Sequence, residues 1–128
     1  MKFAKYTFLA AGIYGLIALI PQYFLESRVA ATTPLSHPEF FYGFIGVAAA
    51  FQIVFLIIST DVLRYRLMII PSIVEKFSFV IAVSILCLNG RTLGGILIGA
   101  SIDLLLGVLF TAAWFATAGV DLKIQSTS

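Results

Sequence analysis

The sequence predicts an all-α polytopic membrane protein: a bundle of four transmembrane helices with both termini in the cytoplasm. The first observation is composition, since 61% of the 128 residues are hydrophobic and only 11% are charged. In a soluble domain, roughly a quarter of all residues are charged, so the outer surface of this chain is expected to face lipid. The second observation is that four apolar stretches each reach the length of about 20 residues that a helix needs to cross the hydrocarbon core.

These four stretches are expected to form one domain over residues 1–128. Their predicted limits are about 6–25, 40–60, 67–88 and 93–117. Helices are expected because a lipid-exposed backbone must satisfy its own hydrogen bonds. A membrane β-barrel would show polar residues at every second position, whereas these stretches are apolar on all sides.

The distribution of basic residues predicts the orientation of the helices. If the N-terminus is cytoplasmic, the cytoplasmic ends hold Lys2, Lys5, Arg64, Arg66 and Lys123, and the outer loops hold Arg28 and Arg91. Cytoplasmic loops of membrane proteins carry an excess of Lys and Arg. We therefore expect both termini on the cytoplasmic side.

Three charged residues fall inside the predicted spans: Glu75, Lys76 and Asp103. A charge at the centre of a bilayer costs about 2.5–3.5 kcal/mol on insertion scales, so it usually faces the interior of a bundle or water. If the third and fourth helices fold about Arg91, Lys76 lies about one helical turn deeper than Asp103. A Lys side chain can reach across that offset, so we predict a Lys76–Asp103 pair.

The same arithmetic places two further polar side chains at this depth. Gln52 comes level with Glu75 and Lys76, and Tyr14 of the first helix lies at a similar level. The predicted layer is a candidate ligand-binding site or proton relay. Alternatively, the layer has a purely structural role and its polar contacts hold the helices in register. A further alternative is that Glu75 extends towards the cytoplasmic interface.

The fourth segment carries a row of small residues around its acid. Gly95, Gly99 and Gly107 stand four residues apart from one another or from Asp103. Small residues at this spacing let two membrane helices approach closely. We predict that this face packs against another helix, either within the chain, in a homo-oligomer or on a membrane partner.

A polar cluster is expected at the outer face from His37, Glu39 and Arg91. The chain has one His and one Cys, and these are too few for the usual metal sites or for a haem held by two His ligands. No nucleophile accompanies His37 and Glu39, so helix capping and interfacial positioning are the expected roles. We expect no catalytic residue, metal ion or cofactor. Without a cluster of Lys and Arg, we also expect no nucleic-acid partner.

Several segments together resemble small four-helix proteins of the bacterial inner membrane that have no assigned activity. They are residues 37–44 (HPEFFYGF), the turn at residues 61–66 (DVLRYR), Pro71 with Glu75 and Lys76, and Asp103. The resemblance spans most of the chain. It implies a multi-pass protein of the inner (plasma) membrane of a bacterium, and it implies no substrate.

The polar layer inside an apolar bundle is the feature that bears on function. It predicts a small integral membrane protein that binds or transports an amphipathic small molecule or a lipid. The alternative is an accessory or assembly subunit of a membrane complex, in which the buried charges are purely structural. A membrane enzyme without a recognisable motif is the third interpretation.

Overall fold

The computed structural model describes residues 2–25, 27–28, 36–91 and 94–127, and these ranges form four helices and no strand. The helices are α1 (Lys2–Leu19), α2 (Pro38–Thr60), α3 (Ile69–Leu88) and α4 (Gly94–Thr127). A 3-10 turn at Ile20–Phe24 continues α1, and another at Arg66–Met68 leads into α3. Each helical stretch is long and apolar enough to cross a membrane. The predicted all-α four-helix class is confirmed, and the chain is a small multi-pass membrane protein.

The turn after α3 is built by a short sequence signal. Gly90 has a φ of 67°, a left-handed conformation that glycine adopts without steric cost. Its N–H donates to the carbonyl of Cys87 at 3.0 Å, and the N–H of Arg91 donates to the carbonyl of Leu86 at 2.8 Å. This pair of bonds satisfies the last carbonyls of the helix, so the chain reverses between α3 and α4 within a few residues.

The fourth helix is longer than predicted. It extends to Thr127 over 34 residues, whereas the sequence placed its end at about residue 117. Its apolar, membrane-length part ends at Val120. The difference has a physical cause: polar residues end a transmembrane span, but a helix that leaves the bilayer can continue in water.

The bundle is held together most closely within the α1–α2 and α3–α4 hairpins. Three buried phenylalanines join α1, α2 and α4, with ring centroids 4.3 Å apart for Phe8 and Phe110 and 4.9 Å apart for Phe55 and Phe110. Helices α2 and α3 make far fewer backbone approaches to one another. The bundle is therefore closed where α1 meets α4 and more open between α2 and α3.

Glycines bring α1 close to α2. The buried residues of α1 form one stripe, namely Ala4, Phe8, Ala11, Gly12 and Gly15. A Cβ atom added to Gly12 would lie 2.7 Å from the Cδ2 atom of Leu56, and one added to Gly15 would overlap the Gln52 carboxamide. The space of two missing side chains is thus occupied by residues of α2, which is the close packing typical of small residues in membrane helices.

At the end of the bundle that carries both termini, Arg66 connects the start of α3 to α4. Its Nε donates to the Thr117 hydroxyl at 2.9 Å, and its Nη2 donates to the Trp114 carbonyl at 3.0 Å. The guanidinium carbon lies 3.6 Å from the centroid of the Trp114 ring. A planar guanidinium can stack and donate in this way, whereas an ammonium group cannot.

We expect the substitution Arg66→Lys to lower the free energy of unfolding by about 1–2 kcal/mol, because stacking and one charged hydrogen bond are lost. Thermal unfolding in detergent measures the change. Arg91→Lys is the matched control, since Arg91 is exposed at the opposite end of the bundle. Equal melting temperatures for the two variants would show that the Arg66 contacts contribute nothing to stability.

Candidate functional site

The charged residues of α3 and α4 meet inside the bundle. Lys76 is 4% exposed, and its Nζ lies 3.1 Å from Asp103 Oδ1 and 3.3 Å from Glu75 Oε2. The predicted Lys76–Asp103 pair is therefore present in the structure. We call Glu75, Lys76 and Asp103 the charged triad; it combines one buried cation with two carboxylates.

An aromatic ring completes the surroundings of the Lys76 ammonium. The Nζ atom lies 5.2 Å from the centroid of the Phe55 ring on α2, within the range of a cation–π interaction. Lys76 is thus held by carboxylates from α3 and α4 and by a ring from α2. This matters because a buried charge is stable only when it is paired and its hydrogen bonds are made.

Glu75 is less completely satisfied than Asp103. The Glu75 Oε2 atom is buried and accepts no hydrogen bond in the described part of the chain, although it lies within ion-pair distance of Lys76. Lys76 therefore pairs with both carboxyl groups by charge, while its hydrogen bond goes to Asp103. The Glu75 side chain is 19% exposed, so part of this side chain can be reached from outside the bundle.

That exposure is to a groove between α2 and α3 with a volume of about 530 Å³. The walls are apolar except at two positions, and they are formed by Val47, Phe51, Ile70, Pro71, Val74, Glu75 and Ser78. Val47 and Val74 on its rim are 64% and 62% exposed. The groove therefore opens sideways, towards the space that lipid occupies, with Glu75 in its wall.

Local features of α3 shape this groove. Pro71 lies in the first turn of the helix, where its missing N–H leaves no hydrogen bond unmade. The Ser78 hydroxyl donates to the Glu75 carbonyl at 3.0 Å, so its proton is already used within the helix. In the middle of α3, the ring of Phe79 lies 6.1 Å from that of Phe44, measured between centroids, and the two rings bring α2 and α3 together.

Gln52 faces away from this groove. It is 1% exposed, and its Nε2 donates to the Ala48 carbonyl at 2.9 Å. Its Oε1 accepts no hydrogen bond from the described residues and rests against Gly15. The structure thus buries Gln52 as expected, but in the α1–α2 contact rather than beside Glu75.

Tyr14 does not join the polar layer that the sequence predicted. Its side chain is 41% exposed, on the outside of the bundle. The reason is helical geometry: α1 contacts α2 through Gly12 and Gly15, and successive residues are about 100° apart, which turns Tyr14 away from that contact.

The glycine face of α4 is only partly used within the chain. A Cβ atom on Gly107 would lie 3.0 Å from the Phe77 ring of α3, whereas one on Gly95 or Gly99 would meet no described atom within 4 Å. Within the described chain, Gly107 therefore packs against α3, and the side of α4 that carries Gly95 and Gly99 meets no described atom. For these two glycines, packing in a homo-oligomer or on a membrane partner stays a prediction.

The predicted polar cluster of His37, Glu39 and Arg91 lies at the end of the bundle opposite to the termini, which we call the loop end, and it is small. His37 Nδ1 lies 3.1 Å from Glu39 Oε1, and both side chains are about two-thirds exposed, at 67% and 66%. Arg91 is exposed as well, and the structure records no bond between it and this pair. Among the described residues, no group of His, Cys, Asp and Glu could hold a metal ion.

Comparison of the chain with protein-family models, curated proteins and solved structures finds no match. The residues and their geometry are therefore the basis for any statement about function.

Proposed function

We propose that this membrane protein binds, or carries across the bilayer, an amphipathic small molecule or a lipid in the groove between α2 and α3. One observation carries the proposal: an ionisable residue, Glu75, lines a groove of about 530 Å³ whose other described wall residues are apolar except for Ser78. Ligand sites of drug-sized molecules have volumes of about 300–1,000 Å³, with mostly apolar walls and a few polar groups. An intramembrane ionisable residue is also costly and typically functional.

The substitution Glu75→Gln tests this proposal. It keeps the size of the side chain and removes its charge, so we expect the fold to persist while ligand-induced stabilisation is lost. The measurement is thermal unfolding of the purified protein with a phospholipid, a quinone and a quaternary-ammonium amphiphile. A ligand at 100 times its Kd stabilises a native protein by about 2.7 kcal/mol, a shift that is easily resolved. If wild-type protein melts identically with every member of the panel, the proposal is contradicted.

A second candidate is an accessory or assembly subunit, and the start of α4 favours it. Gly95 and Gly99 present a small-residue face with no described neighbour, and such faces admit close helix partners. The charged triad would then serve only to hold α3 against α4. Native mass spectrometry after gentle extraction separates the two functions, and a uniform monomer without a co-purifying protein would argue against a subunit role.

We further propose that the chain resides in the inner membrane of a bacterial cell with both termini in the cytoplasm. The orientation is supported by the excess of basic residues at the end that carries the termini, where Lys2, Lys5, Arg64 and Arg66 are found. In this orientation the loop with His37 and Glu39 faces outwards.

A further inference from the structure

The charged triad has two acidic side chains and one basic side chain, and this imbalance bears on which class of ligand the groove binds. When both carboxylates are ionised, Glu75 and Asp103 bring two negative charges to the single positive charge of Lys76. Asp103 receives the hydrogen bond from Lys76, while Glu75 Oε2 receives none. In that state the triad carries one surplus negative charge, and Glu75 is the member of the triad that lines the groove.

We infer that the ligand of this groove is a monovalent organic cation with an apolar body. The inference rests on the proposed function and narrows its ligand class. A cation beside Glu75 would balance the triad in surroundings of low dielectric constant, where unlike charges attract strongly. The apolar walls from Val47, Phe51 and Val74 would cover the rest of such a molecule.

The groove is unsuited to an anionic headgroup. Among the described residues that line it, Glu75 and Ser78 are the polar ones, and the Ser78 hydroxyl already donates to a backbone carbonyl. Lys76 is 4% exposed and is occupied by two carboxylates. A phosphate or carboxylate in the groove would meet a like charge and no available donor, which disfavours binding.

Two probe ions of nearly equal size and shape but opposite charge test the inference: tetraphenylphosphonium and tetraphenylborate. The full chain is placed in lipid nanodiscs, and binding is measured by equilibrium dialysis against protein-free nanodiscs of the same lipid. We expect the protein to hold the cation at least about tenfold more tightly than the anion. Neither ion donates a conventional hydrogen bond. Each affinity is referred to that ion's own concentration in the protein-free nanodiscs, because the interfacial dipole potential of the bilayer acts oppositely on the two ions.

Substitutions in the charged triad test whether the triad causes the preference for the cation. Glu75→Gln is expected to lower the affinity for tetraphenylphosphonium by about tenfold or more, because it removes the surplus charge. Asp103→Asn changes the same balance without altering the groove wall, and we expect a loss in the same direction. Glu39→Gln is the control: it removes one negative charge from an exposed side chain at the loop end and should leave binding unchanged.

The outcomes separate this inference from the wider proposal. If the two ions bind equally and Val74→Trp, which fills the groove, abolishes both, the site stands but its cation selectivity is overturned. If Glu39→Gln weakens binding as much as Glu75→Gln, general surface charge explains the preference and the inference also fails. If neither ion binds, the cation inference is overturned, while the uncharged members of the ligand panel still decide the wider proposal.

Discussion

Replacement of Lys76 by methionine is expected to lower the free energy of unfolding by about 3–5 kcal/mol, the typical cost of removing one partner from a buried ion pair. The substitution leaves Glu75 and Asp103 facing one another without the cation that both approach. Methionine matches the length and volume of the lysine stem, so the loss comes from charge and not from a cavity. Unfolding by a denaturing detergent, followed by circular dichroism, measures the change.

The matched control removes the whole set of charges. In the variant with Glu75→Gln, Lys76→Met and Asp103→Asn, no charge remains unpaired, and replacing a complete buried ion pair is often neutral or stabilising. We therefore expect this triple variant to be markedly more stable than Lys76→Met alone. Equal stability of the two variants would mean that packing around Lys76, and not its charge, holds α3 against α4.

Gly15→Val is expected to destabilise the bundle by about 1–3 kcal/mol, the usual cost of overpacking a well-filled interior. The new Cβ atom would overlap the Gln52 carboxamide, which is buried at 1% exposure and has little room to move. Thermal unfolding measures the effect, and cross-linking of α1 to α2 would show whether the two helices separate.

Two further variants test the cause of that loss. Gly43→Val introduces the same side chain on α2 at a position where a Cβ atom meets nothing within 4 Å, so we expect little change in stability. Combining Gly15→Val with Gln52→Ala removes the obstacle and should restore part of the loss. If the double variant is as unstable as the sum of its two single changes, steric overlap with Gln52 is not the reason.

The number of helices and the Lys76–Asp103 pair were predictable because both depend on lengths along a rigid helix. A membrane of known thickness requires about 20 apolar residues per span, and four such stretches were present. The rise of 1.5 Å per residue likewise sets the relative depth of Lys76 and Asp103 once the turn at Gly90 is placed. Both arguments concern position along the membrane normal, and the turn follows from its own residues.

Rotation of each helix about its axis was much harder to predict. In a soluble protein, polar residues identify the outer face of a helix. In this chain both lipid-facing and buried positions are apolar, so the hydropathy pattern does not identify the face that is buried. Tyr14 was therefore placed inside, and the close contacts of α2 with Gly12 and Gly15 were not predicted. A signal for the last pair existed, since two small residues one turn apart also permit close approach.

The groove between α2 and α3 could not be predicted from the sequence, for a related reason. Its wall residues are ordinary apolar side chains, among them Phe51, Ile70 and Val74, which would be equally suitable for a closed contact between helices. The gap arises because α2 packs mainly on α1 and α3 packs mainly on α4. This pairing of the helices depends on all four of them together, and the sequence of any one segment does not predict it.

The sideways opening of the groove has a consequence for how occupancy should be expressed. A solute that enters between Val47 and Val74, which are 64% and 62% exposed, arrives from the hydrocarbon phase and not from water. The concentration that governs occupancy is then its mole fraction in the bilayer, which its partition coefficient sets. Adding empty vesicles at constant total solute would dilute that phase and empty the groove, even though the aqueous volume and the protein are unchanged.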